Sequence, residues 1–293
     1  MSKKIFMIDT GCAPVNELVE KYNVELMGMK VIIDEKTYTD GEDISLDEFY
    51  EKISHTENFH TAHPSIGEIV QKYNKLKEEG YDEIVDIHFS SRMSGLLNTC
   101  EIAKNMTENL DIKLFDTEYV SIGAYHVSEK ILELYSRDFE YEQILEVLPK
   151  IKESTYMQFS VPTLKYLVKN GRVGKAAGIA GTLLSIKPVL GVEDGFIAPI
   201  AKPRGMIKAY NTIAENAVKF LEKRPHNVSI YITYGLEKNK EQMEEAFNIF
   251  MEKFEKLNIK DYKIIRGRLR PTIICHSGPE VFGLSVYGEE TPI

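Results

Sequence analysis

The chain has 293 residues, of which 43% are hydrophobic and 28% charged, a composition typical of a packed globular protein with two domains or one large α/β domain. Its formal net charge is -9 at pH 7 and its pI is near 5.4. This acidity argues against a general nucleic-acid or membrane-surface binder, because either partner would repel the protein's overall field.

The sequence predicts a cytoplasmic protein with no leader and no membrane-spanning segment. The apolar run at residues 5–8 is too short for the core of a signal peptide, and the low-charge stretch at residues 176–186 is shorter than the roughly 20 residues that cross a bilayer. Cys12, Cys100 and Cys275 are odd in number and far apart in sequence. They indicate reduced thiols rather than a disulfide framework or a zinc site, so no metal is expected.

The first part of the chain alternates predicted strands and helices. This alternation is typical of a mostly parallel sheet covered by helices on both faces, and it predicts a Rossmann-like α/β domain over residues 1–155. Strands are predicted at residues 3–9, 83–89 and 113–115, helices at 14–22, 46–53 and 66–77, and a hairpin at 24–39.

The second part, residues 156–293, is predicted to be an α/β domain with a mixed or antiparallel sheet. Apolar residues recur at helical spacing over residues 239–257, and that stripe indicates core packing rather than a cofactor site. The other elements are a strand at about 153–160, a hairpin at 187–200, helices at 163–184 and 206–222, and strands at 228–234, 271–275 and 281–287.

A serine-rich loop follows the predicted strand at residues 83–89. Ser90, Ser91 and Ser94 lie where ligands bind in open α/β sheets, and the loop opens a helix whose free N–H groups favour an anion. A simple helix cap would require one serine, and the loop has three. An anion site and a cap both remain open at this point.

A threonine element, residues 61–65, precedes another predicted helix. Thr61, Pro64 and Ser65 are ordinary residues for the start of a helix, so a capping role explains them as they stand.

Several other motifs are weak. Asp9-Thr10-Gly11 matches the aspartic protease triplet, with Asp116 as a conceivable partner, but both lie in strand-loop-helix context. The glycines at residues 171–174 do not complete a P-loop, because Lys169 and Ala176 replace the required glycine and hydroxyl. His276 after a predicted strand is more often structural in such a position.

Taken together and in this order, these segments resemble the DegV family of bacterial fatty-acid-binding proteins over nearly the whole chain. The matching elements are Asp9-Thr10, Thr61-x-x-Pro64-Ser65, Ser90-Ser91-x-x-Ser94-Gly95, Asp116-Thr117 with Val120-Ser121-x-Gly123, Thr163-Leu164-x-Tyr166-Leu167 with Asn170-Gly171-Arg172, Ile186-Lys187-Pro188, Lys202-x-Arg204-Gly205 and His276-x-Gly278-Pro279.

The resemblance implies two α/β domains with a lipid between them and no cofactor beyond that ligand. It implies that Thr61 and Ser94, with Ser91, bind the carboxylate of a long-chain fatty acid. It also implies a carrier that is not itself an enzyme and that delivers the fatty acid to a separate kinase for phospholipid synthesis. Arg204 and His276 are then the expected contacts for the kinase or the acyl phosphate.

Three departures from the family pattern bear on this expectation. In the threonine element, Ala62-His63 fills the middle of a motif that more often reads Thr-Ser-Gln-Pro-Ser. In the serine loop, Met93 and Leu96 differ from the usual residues. In the last element, Glu280 follows Pro279 where the family usually has glycine. An alternative is a small hydrolase or phosphotransferase that uses Asp9, Asp116 and His276, and an interaction module with an incidental pocket also remains open.

Overall fold

The computed structural model describes residues 3–179 and 186–293, which form two compact units. The first unit contains the residues up to Glu146 together with Arg270–Thr272, and the second contains Val147–Leu269 and Ile273–Ile293. The sequence prediction placed the domain boundary after residue 155, whereas the units divide at Glu146.

The first unit is built on a four-stranded parallel sheet with the strand order β2-β1-β6-β7. A separate three-stranded antiparallel sheet has the order β4-β3-β5. The strands of this unit are β1 (Lys4–Asp9), β2 (Val24–Met27), β3 (Lys30–Ile33), β4 (Lys36–Thr39), β5 (Phe59–Ala62), β6 (Glu83–His88) and β7 (Asp111–Asp116).

The second unit contains a mixed six-stranded sheet with the order β10-β9-β8-β13-β11-β12. Only the pair β11 and β12 is parallel, and the other neighbours are antiparallel. The strands are β8 (Thr155–Ser160), β9 (Val189–Glu193), β10 (Phe196–Ala201), β11 (His226–Tyr234), β12 (Tyr262–Arg268) and β13 (Phe282–Glu289). The predicted fold class, an α/β protein with a parallel sheet and a mixed sheet, is therefore confirmed.

Helices connect these strands. They are α1 (Asn16–Tyr22), α2 (Leu46–Ile53), α3 (Ile66–Glu78), α4 (Leu96–Asn105), α5 (Ser121–Ser136), α6 (Tyr141–Glu153), α7 (Lys165–Lys169), α8 (Met206–Leu221), α9 (Lys240–Phe254) and α10 (Pro271–Ser277), with short 3-10 turns at Thr10–Cys12, Gly174–Ile179, Glu237–Asn239 and Glu255–Leu257. The predicted core stripe of α9 is confirmed, because Met243, Phe247, Phe250 and Phe254 are all buried.

One prediction in the first part needs correction. The hairpin predicted over residues 24–39 comprises only β3 and β4, which turn at Asp34 and Glu35, both with positive φ. Residues 24–27 instead form β2, which pairs in parallel with β1. Local pattern identifies an extended segment but does not identify its partner, so the sequence did not separate these strands.

Two predictions in the second part are also wrong. The predicted strand at residues 271–275 instead lies in α10, which begins with Pro271 at the first helical position. The long helix predicted over residues 163–184 is reduced to α7 and the 3-10 turn at Gly174–Ile179 within the described residues. From the sequence, the aliphatic stretch at residues 176–190 is open to two interpretations, the lining of a lipid tunnel or plain core, and its residues 180–185 lie outside the described residues.

A buried polar network connects Arg270–Thr272, a segment late in the chain, to the rest of the first unit. Asp40 is 1% exposed and accepts hydrogen bonds from the guanidinium of Arg270 at 2.9 Å and from the hydroxyl of Thr272 at 2.6 Å. The backbone N–H of Thr272 also donates to this carboxylate at 3.2 Å, and the hydroxyls of Thr272 and Thr10 are 3.4 Å apart. These contacts hold Arg270–Thr272 in the first unit although the residues on either side belong to the second.

Replacing Asp40 with alanine is expected to lower the free energy of unfolding by about 3–5 kcal/mol, because it leaves the Arg270 charge without its buried partner. Asp40→Asn should cost less, since the amide oxygen can still accept from Thr272. The exposed Asp261→Ala should change the free energy by less than about 0.5 kcal/mol. Urea unfolding of the three variants measures this order, and an Asp40→Ala value equal to that of Asp261→Ala would contradict it.

Candidate functional site

The carboxylate of Asp9 joins the ends of β1 and β6. It is fully buried and accepts hydrogen bonds from the backbone N–H groups of Gly11 at 2.7 Å and Phe89 at 2.9 Å. Its other neighbour is His88, whose Nδ1 is 3.3 Å from Asp9 Oδ2. Burial raises the pKa of Asp9, and these hydrogen bonds to the charged form oppose the increase. Asp9 therefore shapes the start of the serine loop and is not exposed to a substrate.

The serine loop lies between β6 and α4, as predicted. Ser90 is buried, and its hydroxyl accepts from the N–H of Arg92 at 3.2 Å. Ser94 is partly buried, and its hydroxyl accepts from the N–H of Leu96, the first residue of α4, at 3.2 Å. Ser91 is exposed and its N–H points to Asp116 at 3.3 Å. Ser90 and Ser94 each stabilise the loop backbone through their hydroxyl oxygens.

The threonine element divides between a strand and a helix cap. Thr61 is partly buried in β5, opposite Val31 of β3. Ser65 is the N-cap of α3 and forms a capping box, in which its hydroxyl accepts from the N–H of Glu68 at 3.3 Å while the Glu68 carboxylate accepts from Ser65. The capping interpretation is therefore confirmed for Ser65, whereas Thr61 lies in a strand and has no capping role.

The side chain of His63 connects the threonine element to the serine loop. Its Nδ1 is 2.9 Å from the carbonyl oxygen of Pro64, and its Nε2 would be 3.4 Å from a Cβ placed on Gly95. His63 directly follows β5, the strand that contains Thr61. The structure thus places these two elements next to each other in the first unit. From the sequence, His63 was only a departure from the family pattern.

Asp116 fixes the loop that follows β7. Its carboxylate accepts from the backbone N–H of Glu118 at 2.8 Å and faces the N–H of Ser91. Because β6 and β7 are parallel neighbours with His88 opposite Asp116, their carboxyl ends lie at one edge of the sheet. In the hydrolase alternative, Asp9 and Asp116 act on a substrate. In the structure, both carboxylates accept hydrogen bonds from backbone N–H groups.

His276 lies in α10 and not after a strand, so the sequence prediction of its setting was wrong. Burial, with a smaller contribution from the positive charge of Arg172, lowers the pKa of His276 to about 4. The side-chain amide of Asn170 donates to the carbonyl of Cys275 at 2.7 Å, which ties the Asn170–Arg172 segment to this helix. Sequence reasoning did not connect Arg172 with His276, because they are distant in the chain.

Two glycines allow close packing around α10. Gly278 ends the helix with φ +83°, and a Cβ there would overlap the ring of Tyr166. A Cβ on Gly235 would overlap the carbonyl of Pro279.

Arg204 is exposed just before α8, and forms an isolated bridge with Ile186. Ser91, Ser94 and Thr61 therefore lie in the first unit, and Arg204 and His276 in the second.

These features define an α/β protein with a hydroxyl-bearing loop at the carboxyl edge of a parallel sheet, the edge at which such folds bind ligands. A family model described as an uncharacterised protein of the DegV family matches residues 4–289. The chain belongs to the DegV family, as the sequence predicted.

Known relatives and solved structures are similar to this chain over nearly its full length. A DegV domain-containing protein of Listeria innocua is 31% identical, over 97% of this chain and 99% of its own. The structure of DegV, a fatty-acid-binding protein from Bacillus subtilis, has a TM-score of 0.85 at 25% identity and covers 99% of this chain and all of its own (100%). A stearic-acid-binding protein from Eubacterium ventriosum has a TM-score of 0.84 at 24% identity, with 99% of each chain covered. Among the described residues of this chain, no helix has the length and apolar character needed to span a membrane.

The lowered pKa of His276 predicts that its imidazole stays neutral down to a pH of about 4. The unfolded chain takes up this proton near pH 6.5, so stability should fall as the pH decreases from 6.5 toward 4. His276→Asn should flatten that part of the stability profile. An NMR titration of the His276 ring protons measures the pKa directly, and Arg172→Ala should raise it. A midpoint at or above 6.5 would contradict the assignment.

Proposed function

We propose that this chain encloses one long-chain fatty acid, holds its carboxylate with Thr61, Ser94 and Ser91, and presents it to a separate kinase that makes an acyl phosphate. The observation that carries the proposal is the proximity of the His63 ring to Gly95, since a Cβ on that glycine would be 3.4 Å from Nε2, and this proximity puts the threonine element beside the serine loop. The fatty-acid-binding relatives with the same fold support the class of ligand.

The energetics favour a hydroxyl clamp. Burying an acyl chain contributes roughly 0.8 kcal/mol per methylene, so a tail of about fifteen carbons contributes on the order of 12 kcal/mol before ordering costs. The carboxylate opposes burial, because removing it from water costs several kcal/mol unless donors replace its hydration. Serine and threonine hydroxyls supply donors without a fixed charge, which allows the acid to be released or phosphorylated.

The imidazole of His63 lies beside the proposed clamp. With Nδ1 directed at the Pro64 carbonyl, Nε2 is the nitrogen that faces the serine loop. A glutamine, which the family more often has at this position, offers an N–H there, whereas a neutral imidazole with its proton on Nδ1 presents a lone pair. The substitution to histidine therefore leaves the proposed binding of the carboxylate to the hydroxyls of Thr61, Ser94 and Ser91.

Native mass spectrometry of gently purified protein is expected to show the polypeptide with one fatty acid. Thr61→Val and Ser94→Ala should each weaken retention about 10- to 100-fold, since each removes a hydrogen bond to a charged group. Ser65→Ala is the matched control: it removes a hydroxyl from the α3 cap and should leave lipid retention unchanged. His63→Gln should also retain lipid. Bare polypeptide in the wild type, or full retention in the Thr61/Ser94 double variant, would refute the site.

A kinase assay separates the carrier from an enzyme. Protein loaded with radiolabelled oleate should give no acyl phosphate with ATP and Mg²⁺ alone, and should give it when a bacterial fatty-acid kinase is added. Arg204→Ala should lower this yield while lipid retention is unchanged, because Arg204 is exposed and lies outside the first unit. Product formed without the kinase would favour the phosphotransferase alternative, and an unchanged yield from Arg204→Ala would exclude the proposed contact.

A further inference from the structure

A second polar cluster lies beneath the serine loop, in the interior of the first unit. Asp86 and His88 are two residues apart on β6 and project to the same side of the strand, where Cys100 of α4 meets them. One ligand atom from each of the three residues lies within 4.8 Å of the others, and all three residues are buried. Among the described residues, they form a group of oxygen, nitrogen and sulfur donors.

Asp9 orients the imidazole in this cluster. The carboxylate of Asp9 is 3.3 Å from Nδ1 of His88 and can accept a hydrogen bond from a proton on Nδ1. In that tautomer the lone pair on Nε2 is directed at the cluster. A carboxylate on the remote ring nitrogen is the usual outer-shell partner of a metal-binding histidine, because it fixes the tautomer and raises the basicity of the ring.

A hydrogen bond also orients the carboxylate of Asp86. One of its oxygens, Oδ2, accepts from the hydroxyl of Tyr73 at 2.7 Å. The other oxygen, Oδ1, is buried and has no hydrogen-bond partner. His88 Nε2 is 3.1 Å from Asp86 Oδ2, yet it also lacks a hydrogen bond, because the geometry of that approach is unsuitable. Asp86 Oδ1 is therefore a buried oxygen without a hydrogen bond, in the same cluster as His88 Nε2 and the thiol of Cys100.

We propose that Asp86, His88 and Cys100 bind a divalent transition-metal ion of the zinc class as a structural site. A mixed set of carboxylate, imidazole and thiolate suits Zn²⁺ and does not suit Mg²⁺ or Ca²⁺, which take oxygen ligands. The thioether of Met27, 3.9 Å from the Cys100 sulfur, is a soft donor beside the site. One cysteine and one histidine on separate elements form no recognisable zinc-binding spacing, so this site could not be predicted from the sequence.

The dimensions are compatible with a metal after small side-chain rotations. Tetrahedral ligands about 2.0–2.3 Å from Zn²⁺ are about 3.3–3.8 Å from one another, somewhat closer than the 4.8 Å limit within which these atoms lie. Because the residues are buried, the ion would be incorporated as the chain folds. The competing arrangement is a proton on His88, which would then bridge Asp9 and Asp86 as an ion triad without metal.

The test uses the full chain, purified without a metal-affinity tag or chelator. We expect about one zinc per chain by elemental analysis, as a single structural site requires. After unfolding with EDTA, refolding with equimolar Zn²⁺ should raise Tm by about 10 °C relative to refolding without metal. Refolding with Co²⁺ should give a thiolate-to-cobalt charge-transfer band in the near ultraviolet, which reports coordination by sulfur.

Variants identify the ligands. Cys100→Ala should abolish the cobalt band and the retained metal, and Asp86→Asn should weaken both. Cys275→Ala, which removes another buried cysteine in the second unit, should leave them unchanged. If a ligand variant fails to fold, the wild-type band still decides the question. The proton-bridged triad would replace our proposal if wild-type protein refolded with Co²⁺ shows no thiolate band, or if it retains no metal after gel filtration.

Discussion

The buried carboxylate of Asp9 is the constraint on which the first unit depends. It accepts from Gly11 just after β1 and from Phe89 just after β6, so it links two strand ends that are far apart in sequence. Without it, both N–H groups would be buried without a partner, at a cost of about 1–3 kcal/mol each. The serine loop begins one residue after Phe89, and its position therefore follows from this link.

The acidic residues and the hydroxyl residues of the first unit have different surroundings. Asp9, Asp40 and Asp116 all accept backbone N–H groups, and Asp40 also neutralises Arg270. Ser91 is exposed and Ser94 is partly buried in the loop that follows β6, and Thr61 is partly buried in β5. The carboxylates are thus engaged in the fold, whereas the hydroxyl residues of the proposed clamp are less buried.

The polar cluster beneath the loop extends this arrangement into the core. His88 is the shared member, since one ring nitrogen meets Asp9 and the other faces Asp86 and Cys100. Burial lowers the pKa of His88, but the charges around it, led by that of Asp86, outweigh burial and raise the pKa well above its ordinary value. A negative environment of this kind favours a cation at the base of the serine loop, whether that cation is a proton or a metal ion.

The sequence by itself determined the alternation of strands and helices, the core stripe of α9, the serine loop and the family, because each of these is written in local periodicity or in motif order. Only the tertiary structure decided that β2 pairs with β1, that residues 271–277 are helical, that His63 meets Gly95, and that Cys100 joins Asp86 and His88. The physical reason is that these features depend on which segments pack together. A local pattern shows which face of an element is buried, but it carries no information about the distant residue against which that face is buried.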